Sequence, residues 1–186
     1  MRRNAGFTRL RQNASDPWRA ATPGGRKPRA GLCGNVCGAI MDANALVANA
    51  LIDTGAILAL LDATDRWHPV CMESFRQLRL PLLTTEGVLT ELFHLVGDSR
   101  HEMESAWKLL RSGAIELAAI THAELPQIHA LMSRYWDQPM DFADATLVHL
   151  ARRESLSTIF TVDHADFETY RIEGRRKFRV LPEKRP

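Results

Sequence analysis

From residue 46 onward, short apolar runs alternate with stretches of helical period, and this alternation restricts the possible folds more than any other feature of the chain. Leu51-Ile52, Leu82-Leu83, Ala114 to Ile120, Thr158 to Val162 and Phe178 to Leu181 read as strands. Residues 56–62, 68–79, 86–97, 100–111, 121–134 and 141–153 carry the i, i+3, i+4 spacing of helices. Thr85 and Thr121 are candidate helix caps, and a helix closes near Gly113. Apolar strands separated by helices fit a parallel sheet, because covering helices bury both strand faces. The predicted class is α/β: a single domain over 46–186, with a central, mostly parallel sheet flanked by helices.

Composition narrows the class further. With 186 residues, 45% hydrophobic and 25% charged, the chain can bury a core without disulfide staples. Its 11 Gly, 9 Pro and 3 Cys exclude collagen-like and disulfide-scaffold classes. No run of apolar residues is long enough to span a membrane. The net charge of +2 averages unlike parts. Residues 1–41 carry eight Arg/Lys and one acid, and 171–186 carry seven Arg/Lys and two acids, whereas 42–170 carry nine Arg/Lys and 19 acids. The body is acidic and its ends are basic, and an acidic body by itself repels nucleic acid. Residues 1–45 read as a basic extension, either disordered or lying upstream of the natural start, for which Met41 is a sensible candidate. They lack the apolar core of a secretory signal, so a cytoplasmic protein is expected. Cys33 and Cys37 have no nearby ligands to complete a zinc site and read as free thiols, and Cys71 reads as a small core residue.

Four acids lie where a core belongs. Asp53 follows Ala50-Leu51-Ile52, and Asp163 follows Ile159-Phe160-Thr161-Val162. Each ends a buried strand, at the sheet edge where open α/β folds bind ligands. Asp144 falls among Leu147, Val148 and Ala151 on the apolar arc of its helix, where a solvated acid does not belong. Glu91 borders the stripe formed by Val88 and Leu95, and Asp141 lies one turn before Asp144. Two like charges about 4 Å apart repel by about 4 kcal/mol at an effective dielectric of 20. Such acids share protons or hold a cation. An all-oxygen donor set suits Mg²⁺ or Mn²⁺. Singly, each acid has an ordinary reading as turn residue, helix cap or surface charge; their convergence is what favours a site.

At these residues the sequence resembles the PIN-domain nucleases, most closely the toxins of bacterial toxin–antitoxin pairs of the VapC kind. The resemblance covers about 46–182 and rests on Leu51-Ile52-Asp53-Thr54-Gly55-Ala56, Thr90-Glu91-Leu92, Asp141-Phe142-Ala143-Asp144-Ala145 and Phe160-Thr161-Val162-Asp163. It implies a metal-dependent endoribonuclease with Asp53, Glu91, Asp144 and Asp163 as catalytic, metal-holding acids. Asp141 matches an extra acid of some members, and Thr161 a hydroxyl or small residue near the metal. It also implies Mg²⁺ or Mn²⁺ as cofactor, RNA as substrate, a cognate antitoxin and a homodimer. The long basic start is not part of the family pattern. A non-toxin RNA-processing nuclease of this fold and a non-catalytic protein-binding module are the alternatives. An aspartyl phosphatase is disfavoured, because Asp53 is followed by Thr54-Gly55 rather than x-Asp.

Other polar and aromatic residues have plainer readings. His68 reads as a loop or helix-start residue, and His149 lies about 140° from Asp144 on its helix and points away. His164 follows Asp163, within reach of a phosphate, and Asp166 reads either as a further metal-binding acid or, with Phe167, as a helix start. Tyr135, Trp107 and Trp136 read as packing or dimer contacts. Arg175-Arg176-Lys177 and Arg179 fit either electrostatic guidance of RNA or a charged, aggregation-resistant strand edge.

Overall fold

The computed structural model describes residues 50–138 and 140–186. The expectations for residues 1–45, for Cys33, Cys37 and Met41, and for the chain up to residue 49 lie outside the described residues. In chain order the elements are β1 (Leu51–Ile52), α1 (Thr54–Leu61), α2 (His68–Gln77), β2 (Leu82–Thr84), α3 (Glu86–Leu95), α4 (Arg100–Arg111), β3 (Ile115–Leu117), α5 (Leu125–Arg134), α6 (Phe142–Arg153), β4 (Thr158–Phe160), α7 (His164–Thr169) and β5 (Arg179–Leu181). A single 3-10 turn over His122–Glu124 precedes α5.

The five strands form one sheet in the order β3-β2-β1-β4-β5, with every pairing parallel. Leu51 sits opposite Leu83 on one side and Ile159 on the other, so β1 is central, and Leu51, Ile52, Ile159 and Phe160 are fully buried. Chain order runs outward from β1 through β2 to β3, then returns past β1 to β4 and β5. The direction of winding therefore reverses between β1 and β4, and the carboxyl ends of these two strands flank the crevice. Among the described residues no helix is long and apolar enough to cross a membrane.

Several boundaries differ from the sequence reading. The strand expected over Ala114 to Ile120 is only Ile115–Leu117, since Leu117 is already exposed at the sheet edge. The helix expected from 121 begins as a 3-10 turn, with Thr121 and Glu124 forming a capping box, and becomes α-helical at Leu125. The strand expected to reach Val162 stops at Phe160, and the following helix begins at His164 rather than Asp166, because the Asp163 side chain caps it. Thr85 stands at the start of α3, yet its hydroxyl bonds Thr146 Oγ1 at 2.7 Å instead of capping the helix.

Two glycines let the elements close on one another. A Cβ on Gly55, in the first turn of α1, would lie 2.5 Å from Val162 Cγ2, so only glycine lets α1 come this close to the chain leaving β4. A Cβ on Gly87, in the first turn of α3, would lie 3.2 Å from both Ala143 Cα and Thr146 Oγ1 of α6. These close approaches draw β1 toward the end of β4, and α3 toward α6.

Candidate active site

The four elements brought together in this way carry the four acids. Asp53 ends β1 and precedes α1; it is only 8% exposed. Its Oδ2 accepts a hydrogen bond from the Thr161 hydroxyl at 2.8 Å, and the Thr161 oxygen accepts the Asp163 backbone N–H at 3.0 Å. One buried hydroxyl thus ties the end of β1 to the end of β4. Asp163 itself is exposed, and its Oδ1 accepts the Asp166 N–H at the start of α7. Glu91, on α3, accepts a 2.7 Å hydrogen bond from Thr54, the residue after Asp53. Asp144, in the first turn of α6, accepts a hydrogen bond from the Tyr170 hydroxyl at 3.1 Å. Asp141 caps α6, accepting the Asp144 N–H at 2.9 Å.

The electrostatics register the crowding. Burial pushes the Asp53 carboxyl up to about 6, against the lowering effect of Thr161, with the Glu91 and Asp141 charges adding to the rise. Burial likewise raises Asp144 to about 8, with further contributions from Asp141 and Asp53. Tyr170 is raised as well, first by burial and then by Asp144. A carboxylate held neutral by its surroundings marks a place short of positive charge, a common signature of a functional site. The donor chemistry is that of a hard cation site: carboxylate and hydroxyl oxygens only. Among the described residues, however, no three of these side chains already converge on one point at ligating distance. Asp53, Glu91, Asp141 and Asp144 are electrostatically coupled, Glu91 is also held through Thr54, and Asp163 joins through Thr161.

Thr54 and Tyr170 are positioning groups absent from the sequence reading. Thr54 had a local signal, its place between Asp53 and Gly55. Tyr170 had none, because its partner lies 26 residues earlier and the two meet only when α7 packs near α6. The remaining candidates lie elsewhere in the bonding network. His68 Nδ1 meets the Ala59 carbonyl at 2.7 Å, linking α2 back to α1. His149 points away from Asp144, as expected, and pairs with Glu124 Oε1 at 2.8 Å, where Arg153 also binds. His164 is buried and stacks on Trp67 with ring centres 5.3 Å apart, so it is a packing group rather than an exposed phosphate contact. Asp166 lies beside Asp163, and its carboxyl is raised by burial and that neighbour. Trp107 packs on Phe93 at 4.6 Å and Tyr135 is buried, as expected of packing residues. Trp136 is 88% exposed, so of its two readings, packing or dimer contact, packing within the described residues does not hold. Cys71 is fully buried and its thiol is pushed up to about 12, the state of a core residue.

Comparisons with known proteins bear on the fold and the family. Residues 50–172 match the model of the PIN domain. Ribonuclease VapC26 of Mycobacterium tuberculosis is 35% identical over 135 residues, spanning 71% of this chain and 99% of that protein. The crystal structure of VapC20 of Mycobacterium tuberculosis, described as a sarcin–ricin loop cleaving toxin, superposes with a TM-score of 0.54 at 20% identity, covering 61% of this chain and 89% of that one. At that identity the second likeness concerns the fold. The matched span contains every acid described above, together with Thr54, Thr161 and Tyr170, and on this evidence the chain belongs to the PIN-domain family, among its VapC-type proteins.

Proposed function

We propose that the protein is a metal-dependent endoribonuclease acting as the toxin of a toxin–antitoxin pair. The observation that carries this reading is the coupled carboxylate centre at the reversal point of the sheet, in a chain 35% identical to a ribonuclease. Asp53, Asp144, Asp163 and Glu91 are the residues that would hold Mg²⁺ or Mn²⁺, with Asp141 and Thr161 in support. Such a cation, when bound, supplies charge stabilisation to a phosphodiester and acidifies water. It also reverses the local sign of an acidic body, so that a phosphate can approach.

The side chains of this protein supply orientation. Thr161 holds one oxygen of Asp53 and so fixes the orientation of its carboxylate. Tyr170 does the same for Asp144, and Thr54 for Glu91. Glu91, the acid reached through a hydroxyl at the edge of the centre, is assigned to orient the attacking water by accepting its hydrogen bond. The substrate is RNA, the acids are the point at which a cognate antitoxin restrains the enzyme, and the protein works in the cytoplasm as a homodimer.

The test is cleavage of RNA with Mg²⁺ or Mn²⁺ against EDTA, using wild type, Asp53→Asn and Asp144→Asn. Cleavage by wild type with metal only, lost in both variants while they remain folded, is the expected result. Full activity of the Asp144→Asn protein, or equal activity in EDTA, would sink the assignment. Absence of both metal binding and RNA cleavage would favour the non-catalytic module.

A further inference from the structure

We infer that Arg134 and Trp136 form the subsite that receives single-stranded RNA beside the acidic centre, Trp136 stacking on a base and Arg134 pairing with a phosphate. The inference rests on the ribonuclease reading and specifies how the substrate is gripped. Arg134 is the last residue of α5, and Trp136 lies in the turn that follows. Between them Tyr135 is buried, its ring edge-on to Tyr170 at 5.2 Å and its hydroxyl accepting the Arg171 N–H at 2.9 Å. Tyr170 in turn donates to Asp144. The residue that separates the two exposed side chains is therefore tied to the acidic centre by one ring contact and one hydrogen bond. This fixes the α5 end of the turn relative to Asp144.

With Tyr135 buried, its neighbours are left at the surface. Among the described residues Trp136 is the most exposed large apolar side chain, at 88%, although burial of such a ring ordinarily contributes strongly to folding. Arg134 is exposed, its guanidinium carbon lies 5.5 Å from the Tyr135 ring centre, and it forms no ion pair among the described residues. Its charged neighbour is the Arg152 guanidinium rather than a carboxylate, so it offers the attraction for phosphate that the acids lack. Single-stranded RNA is recognised by this pairing of chemistries: its unstacked bases lie on aromatic faces while cations track its backbone. Both side chains protrude from the fold, so the core does not depend on either.

The experiment measures binding of the full chain to a short fluorescent single-stranded RNA, in an Asp144→Asn background that prevents cleavage. Trp136→Ala is expected to weaken binding roughly 5- to 150-fold, the worth of one stacked base. Trp136→Phe should recover most of the loss and Trp136→Leu, apolar but without a π face, should not, a difference that a purely structural role would not produce. Arg134→Ala should weaken binding at low salt and flatten the salt dependence by about one unit of slope. Unfolding temperatures should match the parent in all four. Unchanged affinity in Trp136→Ala, with the parent still binding, overturns the subsite and leaves the ribonuclease reading intact. Unchanged affinity accompanied by loss of dimer mass in sedimentation assigns the ring to a protein contact and also overturns it. A wild-type protein that neither binds nor cleaves RNA overturns the ribonuclease reading itself.

Discussion

Replacing Asp144 by Asn should abolish RNA cleavage and, at the same time, make the metal-free protein more stable. Asp144 is raised from 3.8 to about 8 by burial and by the Asp141 and Asp53 charges. A shift of about four units corresponds to a ceiling of about 6 kcal/mol at about 1.4 kcal/mol per unit. The side chain is partly exposed, and solvent and local relaxation reduce the realised cost to about 2 kcal/mol. In the window between about pH 4 and pH 8 the folded protein binds a proton at Asp144 that the unfolded chain has released. Stability contributed by this group is therefore full below about pH 4 and is lost as pH rises toward 8. Asn has no such titration, and its side-chain oxygen still accepts from Tyr170. For a chain of this size about 2 kcal/mol corresponds to a rise in unfolding temperature of about 4–8 °C at pH 8, shrinking to nothing near pH 4. Thermal unfolding in chelator at several pH values measures this, and added Mg²⁺ or Mn²⁺ should stabilise wild type much more than the variant. Equal unfolding temperatures at pH 8, or a gap that does not change with pH, would refute the reasoning.

Three further perturbations probe the supports of the site. Thr161→Val removes the donor to Asp53 and the acceptor of the Asp163 N–H, and should weaken Mn²⁺ binding about 10- to 100-fold by calorimetric titration, with Thr161→Ser restoring most of it. Gly87→Val places a side chain where Ala143 and Thr146 already press, and should cost about 1–3 kcal/mol in denaturant unfolding as α3 and α6 are forced apart. Glu124→Gln weakens the shared hold on Thr121, His149 and Arg153, which keeps the Glu124 carboxyl well below its ordinary range; unfolding stability at pH 7 should fall by about 1 kcal/mol while metal binding stays unchanged.

Much of the fold was legible because its elements announce themselves locally. The apolar runs around Leu51, Leu82 and Ile159 became parallel strands, and the core-facing position of Asp144 on its helix survived in three dimensions. Boundaries were less legible where a side chain overrode the pattern, as when capping by Asp163 started α7 at His164, two residues earlier than Asp166-Phe167 suggested. Which of its two readings, packing or dimer contact, suits Trp136 was illegible for a related reason: apolar character indicates that a residue can be buried, not that the turn carrying it faces the core.

The sequence alone determined the α/β class and the identity of the acids, since strand and helix periods and the placement of a charge within them are properties of neighbouring residues. Only the tertiary structure decided that the chain winds outward from β1 in both directions, so that Asp53 and Asp163 follow the ends of adjacent strands. It alone decided that Thr161 bridges them and that Tyr170 reaches Asp144. Those contacts join residues far apart along the chain, and the free energy that selects them comes from packing whole elements together, which no local pattern encodes.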